Sequence, residues 1–208
     1  MSRFNAPRVQ FGRKPAGDAV PAPIIGRATV RRTAMLAEAG AVLTVLPVEG
    51  ESLHAIMTGR YDLAHLLSAL VRRLGRIEAV RVATLSYNRK NLAELVDLLN
   101  SGAVGKMTLL CSSFFRDHNK ELWEDTLTEF RGRGQRAAAA RSHCKVVTLA
   151  VAGGARFTLE GSANLRTNGN REQFALYRDS GLHDWHALWI DELVRRHEGD
   201  ESGDREPG

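Results

Sequence analysis

From residue 41 onward, short apolar runs alternate with longer segments of helical spacing. "AVLTVLPV" at 41–48 predicts a short buried strand, and "YDLAHLLSALVRRLG" carries apolar residues every three or four positions up to Gly75, which predicts a helix with a glycine stop. "EAVRVATLSY" predicts a strand, "KNLAELVDLLNSG" a helix, "KMTLLCSSFF" a strand and "HNKELWEDTLTEFRGRG" a helix. This alternation predicts an α/β layer structure with much parallel pairing. The rhythm then changes. "AAAARSHCKVVTLAV", "ARFTLEGS" and "EQFALYRD" are three strand-like runs in succession, followed by a last helix, "GLHDWHALWIDELVRRHE". Between "KVVTLAV" and "ARFTLE" the step Gly153-Gly154 predicts a β-hairpin whose turn needs positive φ. No internal repeat is visible.

Composition adds limits rather than elements. A chain of 208 residues, 43% hydrophobic and 25% charged, suits one domain with a real core. The predicted domain spans 29–197, between a basic Pro/Gly-rich arm at 1–28 and an acidic tail at 198–208, both expected to be poor core formers. No apolar run reaches the length of a membrane span, and "MSRFNAPRVQFGRKPAG" has no apolar stretch fit for export, so the expected location is cytoplasmic. Cys111 and Cys144 fall in apolar runs and are expected to be buried, reduced thiols. The net charge of +5 favours an anionic partner. Arg3, Arg8, Arg13 and Lys14 all precede the first acid, Asp18, so the arm and the folded middle carry the positive charge.

Chemistry-bearing residues gather around the hairpin. Strand alternation puts Arg141, His143 and Lys145 on one face, and the returning strand ends at Gly161-Ser162 with Asn164 just beyond. A lysine, a hydroxyl and an amide in reach of one another are the donors that the non-bridging oxygens of a phosphoryl group require. Gly161 would let the backbone and the short Ser162 side chain approach a ligand closely.

These residues resemble the signature of the phospholipase D superfamily, H-x-K followed by G-S-x-N, here His143-Cys144-Lys145 and Gly161-Ser162-Ala163-Asn164, with Asn170-Arg171-Glu172 in the place of a following N-x-E. Two departures stand out. The aspartate usual five residues after the lysine is Ala150, and the spacer before the glycine is longer, with Gly153-Gly154 inside it. The resemblance, which spans about residues 80–178, implies a phospholipase D-like mixed β-sheet flanked by helices on both faces. It implies metal-free covalent phosphoryl transfer without a cofactor, in which one histidine attacks phosphorus and a second protonates the leaving oxygen. Its implied catalytic set is His143, Lys145, Ser162, Asn164 and Glu172, the last accepting from the histidine ring. A single H-x-K also implies a homodimer, with one His143 from each copy meeting at a twofold axis.

Other residues keep two readings. Ser86 and Tyr87 end a predicted strand, where α/β sites form, and are candidate substrate contacts. Arg141 either holds a neighbouring phosphate or is a solvated arginine. Arg131 and Arg133 in "FRGRGQR" either track a phosphate backbone or belong to a solvated loop. In "HDWHALWIDEL" an apolar stripe of Leu182, Trp185, Trp189 and Leu193 predicts a docked helix rather than a metal site at His183, Asp184 and His186. The functional expectation is a nuclease acting on DNA. A binding module that has lost turnover is the alternative suggested by Ala150, and a lipid or small-phosphodiester hydrolase is a third.

Overall fold

The computed structural model describes residues 37–57, 59–166 and 169–198. The basic arm at 1–28 and all but the first residue of the acidic tail lie outside these described residues. Seven strands form one mixed sheet: β1 (Ser52–Met57), β2 (Ile77–Thr84), β3 (Val104–Ser112), β4 (Arg136–Ala140), β5 (Val146–Val151), β6 (Arg156–Gly161) and β7 (Glu172–Tyr177). Their order is β1-β7-β6-β5-β2-β3-β4. β2, β3 and β4 are mutually parallel, while β5 is antiparallel to β2 and to β6, and β7 is antiparallel to β6 and to β1. Five strands therefore end at the same edge of the sheet, where β5 and β7 begin.

Helices cover both faces. On one lie α1 (Leu63–Leu74), α2 (Arg89–Asn100), the short α3 (Ser113–His118) and α4 (Lys120–Arg131); on the other lies α5 (Ser180–His197). The period of two along the strands divides the core accordingly. Val80, Val82, Leu109, Val147 and Leu149 pack under α1, α2 and α4, whereas Ala83, Leu110, Ala138 and Val146 meet Ile190 and Val194 of α5. α1 stops at Gly75, whose φ of 82° suits glycine, as its sequence spacing predicts. Among the described residues no helix is long and apolar enough to cross a membrane.

Three sequence expectations need correction. Residues 41–48 form no strand; helical residues 37–42 lead into a turn, with Val45 and Val48 exposed, and the first strand is "SLHAIM", whose polar positions hid it. The run "AAAARSHCKVVTLAV" is two strands rather than one. β4 pairs with β3, and residues 141–145 then carry the chain across the ends of β3 and β2 to begin β5 on the far side of β2. Continuous apolarity hid this change of neighbours. Cys144, within the crossing, is exposed, while Cys111 in β3 is buried.

The third concerns α5, which is turned by about one position from the predicted stripe. His183, His186, Ala187, Ile190 and Val194 face the sheet, while Trp185 is 62% exposed. The sheet face beneath α5 is partly polar. Arg81 of β2 donates to Asp191 at 2.8 Å, and the Glu160 carboxylate of β6 pairs with His186 Nε2 at 2.5 Å, so that face offers His186 a partner, while His183 pairs with Asp184 of its own helix at 2.7 Å.

Candidate active site

The crossing segment 141–145 lies over the carboxyl ends of the parallel strands, the edge at which open α/β sheets bind ligands. Gly153 and Gly154, with φ of 97° and 102°, turn β5 into β6 at the opposite edge, confirming the predicted hairpin. The turn in the spacer thus lies a strand's length from the H-x-K segment. Ala150 also belongs to that far part of β5, paired with Ala79 and Arg156 and buried, four residues along the strand or ~13 Å from Val146. An alanine there removes no carboxylate from the carboxyl-end cleft.

β6 returns the chain to the site edge. The Gly161 N–H donates to the Lys145 carbonyl at 3.3 Å, and the Ser162 N–H to the Gln173 carbonyl at 3.0 Å, so the two signature segments are held side by side. The Ser162 hydroxyl donates to the Glu172 carboxylate and accepts from the Gln173 N–H at 3.1 Å. Beyond it Ala163 and Leu165 are buried, and the Leu165 N–H donates to Thr84 Oγ1 at 3.3 Å, which pins the loop over the end of β2. Asn164 stands between these anchors. Its Oδ1 is buried without a partner among the described residues, an arrangement that costs stability.

The result is one open cleft lined by His143, Lys145, Ser162 and Asn164, with Leu85, Glu160, Trp185 and His186 completing its walls. Lys145 Nζ donates to His143 Nδ1 at 3.0 Å and to the His143 carbonyl at 2.9 Å. Partial burial lowers the Lys145 pKa from its ordinary value, against the opposing pull of Cys144 and Glu172. Because Nδ1 accepts from the ammonium, a neutral His143 carries its proton on Nε2. Arg141 is exposed at the start of the crossing, two residues before His143.

Gly161 also lines the cleft, and its place in the sheet gives glycine a further reason. A Cβ there would collide with the Gln173 carbonyl oxygen and lie 3.0 Å from Phe174 Cα, so glycine permits the close pairing of β6 with β7. Gly161→Ala is expected to cost about 1–3 kcal/mol in urea unfolding and to displace Ser162, with loss of any activity of the cleft. Wild-type stability in that variant would contradict the packing argument.

Other candidates stand elsewhere. Tyr87 is buried, its hydroxyl paired with Thr126 of α4 at 2.7 Å and its ring 4.6 Å from that of Phe115; Ser86 is also buried, and Leu85 supplies the cleft wall instead. The two residues at the strand end turn inward because the chain there is entering α2. Arg131 and Arg133 precede β4, so they lie at its amino end, one strand of ~16 Å from the cleft. Arg133 is occupied there by Asn100 and Glu129.

A polar network missed in the sequence lies behind the site. Asp62, the N-cap of α1, pairs through Oδ1 with His65 Nδ1 at 2.5 Å and accepts from Asn91 Nδ2 of α2 at 3.0 Å. His65 Nε2 is 3.6 Å from Glu94, whose carboxylate accepts from Ser68 at 3.1 Å. All five side chains are buried. Burial pushes the Asp62 pKa up, but the His65 ring and backbone donors, with Asn91, bring it below the usual value. Asp62 also borders a small crevice shared with Asn164 and Glu172. Its signal was available: polar residues three apart on helix faces that are otherwise apolar.

The mixed sheet with helices on both faces is the fold of a phospholipase D family member. Nuc from Salmonella typhimurium, so described, superposes with a TM-score of 0.50 at 10% sequence identity, over 71% of this chain and 97% of its own. NucT from Helicobacter pylori superposes with a TM-score of 0.52 at 16% identity, over 72% and 99%. No family model and no curated protein matches the chain in sequence.

Proposed function

We propose that this chain is a metal-independent phosphodiesterase that hydrolyses nucleic-acid backbones, DNA foremost, through a phosphohistidine on His143. The observation that carries this reading is the convergence of His143, Lys145, Ser162 and Asn164 on one cleft, from two segments that a whole hairpin separates. Lys145, Ser162 and the NH2 group of Asn164, all on the cleft, are donors suited to the non-bridging oxygens of a phosphodiester. Phosphate offers Lys145 an anionic acceptor in place of His143 Nδ1. The ring then exchanges its proton to Nδ1, with Glu172 as its acceptor, and the freed Nε2 lone pair attacks phosphorus.

As the Nε2–P bond forms, the P–O bond to the leaving group breaks, and the departing oxygen takes a proton from a second imidazole. That imidazole then deprotonates water, which attacks phosphorus and releases His143. His186 borders the same cleft but is engaged at both nitrogens, Nε2 with Glu160 and Nδ1 by the Trp189 N–H at 2.9 Å. As the resemblance to single-motif members implies, the second imidazole in this reading is His143 of a second copy across a twofold axis, which doubles the lysines at one phosphate.

The test is incubation of the purified chain with plasmid, single-stranded DNA and RNA in EDTA, at graded salt, with the scattering mass measured in the same preparation. Cleavage in EDTA, binding that weakens steeply with salt and a mass of two chains are expected. An active preparation with the mass of one chain contradicts the twofold site. Binding without cleavage of any phosphodiester leaves a DNA-binding module in place of the enzyme.

A further inference from the structure

We propose that Trp185 is a stacking platform for the nucleobase beside the bound phosphate, so that the cleft takes single-stranded rather than duplex nucleic acid. The inference rests on the phosphate reading of the cleft and adds the substrate's form. Trp185 is 62% exposed and stands on the wall of the same cleft as His143, Lys145, Ser162 and Asn164. An indole left in water forgoes a large burial gain, as does Leu188 one turn further along the helix, and its flat face is what an unpaired base requires. A base inside a duplex has both faces covered by its neighbours, whereas a single strand can splay one out.

The platform is supported from behind. The His186 ring lies edge-on to Trp185 with centroids 4.6 Å apart. His186 is itself fixed at both nitrogens, by the Glu160 carboxylate at 2.5 Å and by the Trp189 N–H at 2.9 Å. Glu160 belongs to β6, one residue before Gly161, so a single chain of contacts ties the indole to the strand that carries Ser162. Such a platform loses little freedom when it binds. The cleft thus has two chemistries. Leu85, Val146 and Trp185 offer apolar surface, while Lys145, Ser162 and Asn164 offer donors, and a nucleotide has a flat apolar base joined to an anionic phosphate. The excess of positive charge on the chain complements the same ligand.

The test compares three labelled ligands of equal length: a single-stranded DNA, the same backbone with abasic spacers, and a duplex. Binding is measured on full-length His143→Ala, to stop turnover, with and without Trp185→Ala or Trp185→Phe, and the scattering mass is followed alongside. Trp185→Ala is expected to weaken the base-bearing strand roughly 5- to 150-fold. It should leave the abasic strand unchanged, with most of the affinity kept by Trp185→Phe and the duplex bound like the abasic strand.

Equal binding of base-bearing and abasic strands, insensitive to Trp185, overturns the platform while the phosphate site stands. No binding of any ligand overturns both. A mass that halves in Trp185→Ala shows that a second copy covers the indole, and also overturns it. Trp185-dependent binding by a wild-type chain that cleaves nothing supports the platform and defeats the enzyme.

Discussion

His143→Ala is expected to abolish phosphodiester cleavage while leaving the affinity for phosphate-bearing ligands largely intact. In a twofold site the substitution removes the nucleophile and the proton donor together, whereas Lys145, Ser162 and Asn164 remain on the cleft. Glu172→Gln is the milder companion. It retains the acceptor for the Ser162 hydroxyl but loses the charge that steadies a protonated imidazole, so turnover should fall roughly 10- to 10³-fold, at or below the range for a positioned acid–base group. Single-turnover rates, with binding measured separately, check both. A His143→Ala chain that cleaves at more than a small fraction of the wild-type rate contradicts the assignment.

His65→Leu is expected to destabilise the fold by about 3–5 kcal/mol, the cost of leaving buried charges without their partner. The ring lies between Asp62 and Glu94, and leucine fills the space while removing both ring nitrogens. In wild type the Asp62 pKa is lowered, so the stability its carboxylate gives is fully present above the ordinary carboxylate range and is lost as pH falls through the lowered value. In the variant Asp62 keeps the backbone donor at residue 65 and the Asn91 amide but loses the His65 ring, so its pKa rises towards the value that burial favours, and protonation then relieves the buried charge. The stability gap should therefore be widest near neutral pH and narrow on acidification. Urea unfolding at several pH values measures it; a gap below 1 kcal/mol at neutral pH, or one that widens in acid, contradicts the network.

Local patterns read well where they carried their own punctuation. Gly75 and Gly153-Gly154 mark a helix end and a hairpin that occur as predicted, because positive φ leaves few residues to choose from. The site motifs were legible for the same reason, being short and contiguous. What depended on neighbours was not. The strand at 137–151 reads as one run although Arg141–Lys145 carries it past two strands, since apolarity reports burial and not the identity of the partner. Ser86 and Tyr87 sit at a strand end but turn into the core, and Arg131 and Arg133 precede a strand whose other end meets the cleft. The rotation of α5 was hidden because a tryptophan looks like core; the polar partners Glu160 and Arg81, far away in sequence, meet His186 and Asp191 on the inward side of the helix.

The central claim is that His143 forms a covalent bond to phosphorus, and the direct measurement is a rapid acid-free quench with substrate carrying radioactive phosphate, followed by peptide mapping. The account predicts an acid-labile, base-stable label on the peptide containing His143, formed and lost on the timescale of turnover and present in EDTA. Turnover with no label on that peptide, or with a label on another residue, would contradict it.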